Sequence, residues 1–178
     1  MENILDKKFV IEKIKEAAIE AFNSVRQEQP DINFCAYGLY SDTDAITICP
    51  AQNSCIHLNK MIENDPDDKE YYRWSPSEWS HESKGGESFN EISTYLRAKS
   101  KLIKSSDEYD QFKFDVYQSC VLALKSLKDE GFFCDMDRNG VIVFTISDAI
   151  NSNEHEWIEL LNNNDASQQF NEWIKTLQ

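Results

Sequence analysis

Glycine and proline are scarce in this chain, five and four among 178 residues, which excludes collagen-like and low-complexity architectures. Long apolar runs are missing: no stretch approaches the roughly 20 apolar residues that a membrane-spanning helix needs. The opening Met1 to Lys8 is followed by no apolar h-region of the kind a secretory signal carries. A cytoplasmic protein is therefore the expectation. Paired metal-ligand spacing is also absent. The five cysteines, Cys35, Cys49, Cys55, Cys120 and Cys134, are odd in number, lack a C-x-x-C pair and sit mostly in apolar runs, so reduced, buried thiols are expected. His57, His81 and His155 form no H-E-x-x-H and no Cys/His pair, and no metal site is expected. With no G-x-G-x-x-G and no Walker loop, no cofactor is expected either.

Positive charge is the other deficit. Lysine and arginine number 18 against 32 aspartate and glutamate, a formal charge of −14. Such a field repels nucleic acid and anionic membranes and attracts basic partners. The excess is concentrated. Residues 63–91 hold nine acids against Lys69, Arg73 and Lys84, and residues 129–165 hold nine against Arg138 alone. Between them Arg97, Lys99, Lys101 and Lys104 read as a helix C-terminus that complements its dipole. The acidic excess reads either as ordinary solubility or as a partner surface. In the second case the contact candidates are Asp65, Asp67, Asp68 and Glu70, then Asp135, Asp137, Glu154 and Glu156.

What the chain does have is core: 40% hydrophobic and 12% aromatic residues, the profile of a packed globular protein. With no repeat and no long linker, one domain over residues 1–178 is expected. Apolar residues at three- and four-residue steps predict long helices over Ile4–Glu28 and Asp107–Glu130, the second ended by Gly131 at C′. Asn33–Tyr40 predicts a strand buried on both faces. Ala45–Cys49 should pair with it as a hairpin ending at Pro50, where the missing N–H costs no central ladder bond. Asn53–Asn64 predicts a short helix broken by the acidic loop Asp65-Pro66-Asp67-Asp68, and Tyr71–Trp74 a short strand. Ser88, with Glu91 three residues on, predicts the cap of a further helix. Asn139-Gly140 predicts a hairpin between Phe132–Cys134 and Val141–Ser147. Glu154–Leu161 and Ala166–Leu177 predict closing helices pinned by Trp157 and Trp173. The fold class expected is α+β, with a small, largely antiparallel sheet of about four or five strands against the two long helices.

The densest local signal is Arg73-Trp74-Ser75-Pro76-Ser77-Glu78-Trp79. Ser75 at N-cap, Pro76 at N1 and Glu78 at N3 form a capping box, and Trp74 and Trp79 at N′ and N4 form a hydrophobic staple. A helix of little more than two turns, ended by Gly85-Gly86, is expected. Ser75→Ala would then cost about 1 kcal/mol. Arg73 lies outside the cap; it either stacks on an aromatic ring or bridges to a nearby acid, the ion pair being favoured.

Three constellations have a catalytic or metal look, and each is outweighed by a plainer reading. Asp135-x-Asp137-x-Asn139-Gly140 copies half a calcium loop, but its twelfth position is Ile146 instead of a bidentate Glu, which favours a turn. Ser80-His81-Glu82-Ser83 holds nucleophile and base side by side, whereas triads are assembled from distant segments; a solvated helix end is expected. Glu78 and Glu82 stand four apart on one predicted helix face, where exposed carboxylates are common. No catalytic residue is expected.

The segments Phe34–Tyr40, Thr47–Pro50, Tyr72–Trp79, Cys120 with Ala123-Leu124, and Glu130–Phe133 before Val141–Asp148 resemble, in order, the bacterial family catalogued as domain of unknown function 4303. The R-W-S-P-S-E-W block is the most specific element. The resemblance implies a fold and no activity. By analogy with the acidic proteins that neutralise contact-delivered toxins, many of them basic nucleases, it points to an immunity protein whose partner is a basic toxin, and to neither nucleic acid nor membrane as ligand. The alternatives are a small enzyme using Arg73, Glu78, His81 and Glu82 in a cleft, or a regulatory interaction module.

Overall fold

The structure is a computed structural model that describes residues 4–149 and 151–177. Its elements run α1 (Lys7–Glu28), β1 (Phe34–Ser41), β2 (Ile48–Ser54), α2 (Cys55–Asn64), α3 (Lys69–Trp74), β3 (His81–Glu82), α4 (Asn90–Ser100), α5 (Ser106–Asp129), β4 (Val141–Ile146), α6 (Glu154–Leu161) and α7 (Asn164–Ile174). The class is α+β, as expected. Among the described residues four strands lie in the order β3-β2-β1-β4; β1–β2 and β2–β3 are antiparallel and β1–β4 is parallel.

The helical periodicity holds. α1 buries Val10, Ile14, Ala17, Ala18, Ala21, Phe22 and Val25, and it starts at Lys7 because the Asp6 carboxylate accepts the Phe9 N–H. α5 is capped by Ser105 and buries Phe112, Val116, Tyr117, Cys120, Val121, Leu124 and Leu127 among others. After it, Gly131 at φ 77° lets the Phe132 N–H return to the Leu127 carbonyl at 2.9 Å, closing the helix. Lys15 to Glu130 at 2.7 Å ties the two helices across the surface. Along the strands side chains alternate. Tyr37, Leu39, Ile142, Phe144 and Ile146 join α1 and α5 in one core. Ala36, Ala51, Val141 and Val143 form a second with Trp74, Trp79, Ile158 and Phe170. β1 is thus buried on both faces.

Several local expectations give way to packing. β2 does not stop at Pro50; it runs to Ser54, with Pro50 paired opposite Leu39. The Pro50 carbonyl accepts the Ser83 N–H at 3.0 Å, so the missing N–H faces the two-residue strand β3 and not β1, and the central ladder loses nothing. Tyr71–Trp74 is helix, not strand: the helical turn sets Glu70 beneath Trp74, whose indole N–H donates to the Glu70 carboxylate at 3.0 Å. The acidic tetrapeptide ends in a single 3-10 turn, Pro66–Asp68. Ser88 caps nothing; it lies in a 3-10 turn, Gly86–Phe89, and α4 begins with no side-chain cap. Gly85 precedes that turn at φ 77°, where a Cβ would stand 2.7 Å from the Ala21 backbone, so this close approach to α1 needs glycine.

The predicted hairpin around Asn139-Gly140 is absent. Phe132 and Phe133 are drawn off the sheet onto Phe22, at 5.2 and 5.8 Å between ring centroids. The turn itself exists, with the Asn139 N–H on Asp137 Oδ1 at 2.9 Å. It feeds β4 into a parallel pairing for which α4 and α5 supply part of the long crossover. Of the thiols, Cys35 and Cys120 are buried, Cys49 and Cys55 half-buried, and Cys134 is exposed, against the expectation of burial.

Candidate functional site

Two features outside the main core gather polar chemistry: an acidic end of the molecule around α2 and α3, and a cavity on the second face of the sheet. The R-W-S-P-S-E-W block lies between them.

The capped helix predicted for that block does not form. Ser75 is the C-cap of α3 and its side chain caps no N–H. Pro76–Glu78 is a single 3-10 turn, and Trp79 is extended, at φ −84° and ψ 147°. The Glu78 carboxylate reaches away from Ser75 and accepts the Tyr71 hydroxyl at 2.9 Å. Trp74 and Trp79 do enter one core, but through the sheet rather than a shared helix. The Trp79 ring lies against Gly38, where a Cβ would meet it at 3.0 Å. Only a residue without a side chain on β1 leaves room for that ring. Among the described residues Arg73 forms no ion pair. Its Nη2 donates to the Asn139 carbonyl at 2.9 Å, and its guanidinium lies 5.6 Å from the Trp74 ring centroid.

Through Arg73 two segments far apart in sequence become neighbours. Asp67 and Asp68 are exposed and Asp65 is half-buried; Asp65 accepts the Tyr72 hydroxyl at 3.5 Å. Burial and then the charges of Asp65, Asp68 and Glu78 push the Tyr72 phenol up. Burial and then the charge of Asp137 push the Cys55 thiol up at the start of α2. Cys35, held by burial and by Cys55, is pushed up to about 12. Asp65, Asp68 and Glu78 thus lie around Tyr72, and Asp137 lies near the start of α2. Ile56 on α2 is 78% exposed and Tyr71 on α3 39%. The remaining contact candidates are engaged by other groups or stand elsewhere. Glu70 is held by the Trp74 indole, and Asp135 is paired with Arg26 at 3.0 Å. Glu156 is exposed on α6. Glu154 is 8% exposed and accepts the Thr145 hydroxyl at 2.8 Å, so it is withdrawn from any outer surface.

The residues of the enzyme reading do not converge. Arg73 points to Asn139, Glu78 to Tyr71 and Glu82 to Tyr40. His81 is buried in β3, not on a helix end; burial holds its imidazole below the usual value. Its Nδ1 stands 2.8 Å from Ser80 Oγ and its ring packs edge-on to Phe34 at 5.6 Å. Among the described residues no carboxylate orients this imidazole, and no cluster of His, Cys, Asp and Glu could hold a metal ion. Nor, among them, is any helix long and apolar enough to cross a membrane.

The cavity was not foreseen. It measures about 540 Å³ and opens between Tyr40, the Trp74–Ser77 turn, the end of β4, and α6 and α7. Val143, Ile158, Phe170 and Trp173 make its apolar wall, and Glu82, Asp148 and Glu154 are its charged lining. Burial pushes the Glu154 carboxyl up against the opposing hydrogen bond from Thr145. At the mouth, the Tyr40 hydroxyl donates to Glu82 and the Ser83 hydroxyl donates to the same oxygen at 2.9 Å. The lining is drawn from segments far apart in the chain, from Tyr40 through the Trp74–Ser77 turn and Glu82 to the residues from Val143 onward, so no local spacing could have announced it.

A family model described as domain of unknown function (DUF4303) matches residues 14–163, from within α1 to the connection between α6 and α7. No curated protein and no solved structure matches the chain.

Proposed function

We propose, from the premise that this chain belongs to the DUF4303 family, that it is a cytoplasmic binding protein whose acidic end captures a basic protein, and that the partner is a bacterial toxin which it neutralises as an immunity protein. The observation that carries this reading is the bridge from Arg73 to the Asn139 carbonyl. It ties the end of α3 to the 135–139 turn, and on this reading Asp65, Asp67, Asp68 and Asp137 are the acids offered to one partner. Exposed Ile56 and Tyr71 supply the apolar contact that an acidic rim by itself lacks. Concentrated negative charge steers a basic partner and raises its association rate by about ten- to a thousandfold, which serves a protein that must intercept a toxin before damage is done.

The test is a binding and protection assay against the toxin encoded beside this chain. Reversing Asp65, Asp67 and Asp68 to lysine together should slow association by about tenfold or more and flatten its salt dependence. Absence of a complex, together with no protection of cells expressing that toxin, would sink the reading.

A further inference from the structure

The cavity on the second face of the sheet lies apart from the acidic end, and its composition is selective. Its walls are aromatic and aliphatic, with Tyr40, Trp74, Phe170 and Trp173 presenting rings. Its charged groups are three carboxylates, Glu82, Asp148 and Glu154, and among the described residues no lysine, arginine or histidine lines it. We propose that this cavity is a binding site for an organic cation, an ammonium or guanidinium group carried on an apolar stem.

The chemistry leaves few other occupants. An anion would meet three carboxylates in a partly dehydrated space. A neutral apolar molecule would cover Glu154 without giving it a counter-charge, which is costly for a carboxylate already 8% exposed. A cation on an apolar stem satisfies both halves of the lining. Its charge meets the carboxylates and the ring faces, which attract cations through their quadrupoles, and its stem meets Val143, Ile158 and Ile174. About 540 Å³ lies within the range of small-molecule sites. The carboxylate at the mouth is held ready: the Tyr40 and Ser83 hydroxyls both donate to Glu82 Oε1, and among the described residues Oε2 takes no hydrogen bond. One lining residue, Asp148 at φ 57°, keeps a left-handed backbone that non-glycine residues seldom adopt. Such backbone strain clusters at ligand sites.

The inference goes beyond the toxin reading and stands without it, because the cation could be a free amine or a basic side chain of a partner protein. Calorimetric titration of the full chain separates these sources. The probes are hexylamine, its neutral counterpart hexan-1-ol, and the peptide acetyl-Ala-Arg-Ala-amide. Hexylamine should bind at one site at least about tenfold more tightly than hexan-1-ol. Glu154→Gln and Glu82→Gln should each weaken hexylamine by about tenfold while leaving hexan-1-ol unchanged. If the peptide also binds, and competes with the amine, the cation is one a partner protein can supply; if only the amine binds, it is a free small molecule. Equal binding of amine and alcohol, or no heat from either up to about 10 mM, overturns the proposal. Should Glu154→Gln fail to fold, Glu82→Gln decides on its own, since Glu82 is exposed; unchanged hexylamine affinity in that variant overturns it as well.

Discussion

The two faces of the sheet use the same strands and are filled differently. Toward α1 and α5, large side chains meet a helical stripe. Phe22 packs edge-on to Tyr37 at 5.3 Å, and the Tyr37 hydroxyl, deep in the core, donates to the Ala18 carbonyl at 3.2 Å. Toward α6, α7 and the Arg73–Trp79 segment, the strands present Ala36, Gly38, Ala51, Val141 and Val143, with Tyr40 as the one large side chain named on that face of β1. The small side chains do not fill the layer, and even with three tryptophans nearby a hollow remains. The second face also holds the Glu154 carboxyl inside, whereas buried indole N–H groups without a hydrogen-bond partner among the described residues occur on both faces, Trp79 on this one and Trp157 on the other. A fully packed face leaves no place for a ligand. The face that gives up packing density is where chemistry can be housed.

The comparison can be broken most sharply by truncation. Phe22→Ala on the packed face should cost about 3–5 kcal/mol in denaturant unfolding. Phe170→Ala should cost about 1 kcal/mol less, because one side of that ring already faces the cavity and gives up fewer dispersion contacts. Equal losses would mean that the two faces are equally packed. Next, Gly38→Ala should destabilise by about 1–3 kcal/mol by forcing the Trp79 ring from its seat; a neutral result would show that the second face has slack there too.

A smaller effect comes from Glu154 and depends on pH. Its folded carboxyl is raised above the ordinary value of 4.5, so the folded state binds the proton more tightly than the unfolded chain. The stability this confers is fully present below about 4.5 and is lost as pH rises through the raised folded value. Glu154→Gln should remove that slope, and be more stable than the parent at neutral pH while gaining nothing near pH 4. A parent stability that rises with pH over the same interval would count against it. Smallest of all, Ser75→Ala should change stability by less than about 0.5 kcal/mol, because the hydroxyl caps no helix. A loss near the 1 kcal/mol of a true cap would restore the capping box.

Periodic elements were legible from the sequence because their signal is the burial itself. The stripes of α1 and α5 show in their three- and four-residue spacing, and the two-faced burial of β1 shows in its aromatic and apolar content. The Ser75 capping box misled because a cap is worth about 1 kcal/mol. Burying one large apolar side chain against the sheet is worth about 1.5–3, and both Trp74 and Trp79 are at stake. The Asn-Gly turn misled in the same way, correct locally and overruled by the pull of Phe22 on Phe132 and Phe133. Of the candidate contacts, Asp67 and Asp68 are exposed where the acidic loop was read, but that Glu154 turns inward depends on Thr145, a partner from β4 that no spacing indicates. The cavity was invisible for the same reason: an emptiness is defined by all its walls at once.

The parallel pairing of β4 with β1 also has a consequence in time. During synthesis β1 and β2 leave the ribosome early, but the strand that covers the outer edge of β1 follows only after α5 has been made. Translation of the intervening segment takes on the order of ten seconds, and through that interval Ala36 to Ser41, the residues that will face β4, offer an open strand edge to any other nascent chain. A chaperone that shields extended apolar segments should therefore bind this protein while it is being made and release it once Ile146 has emerged.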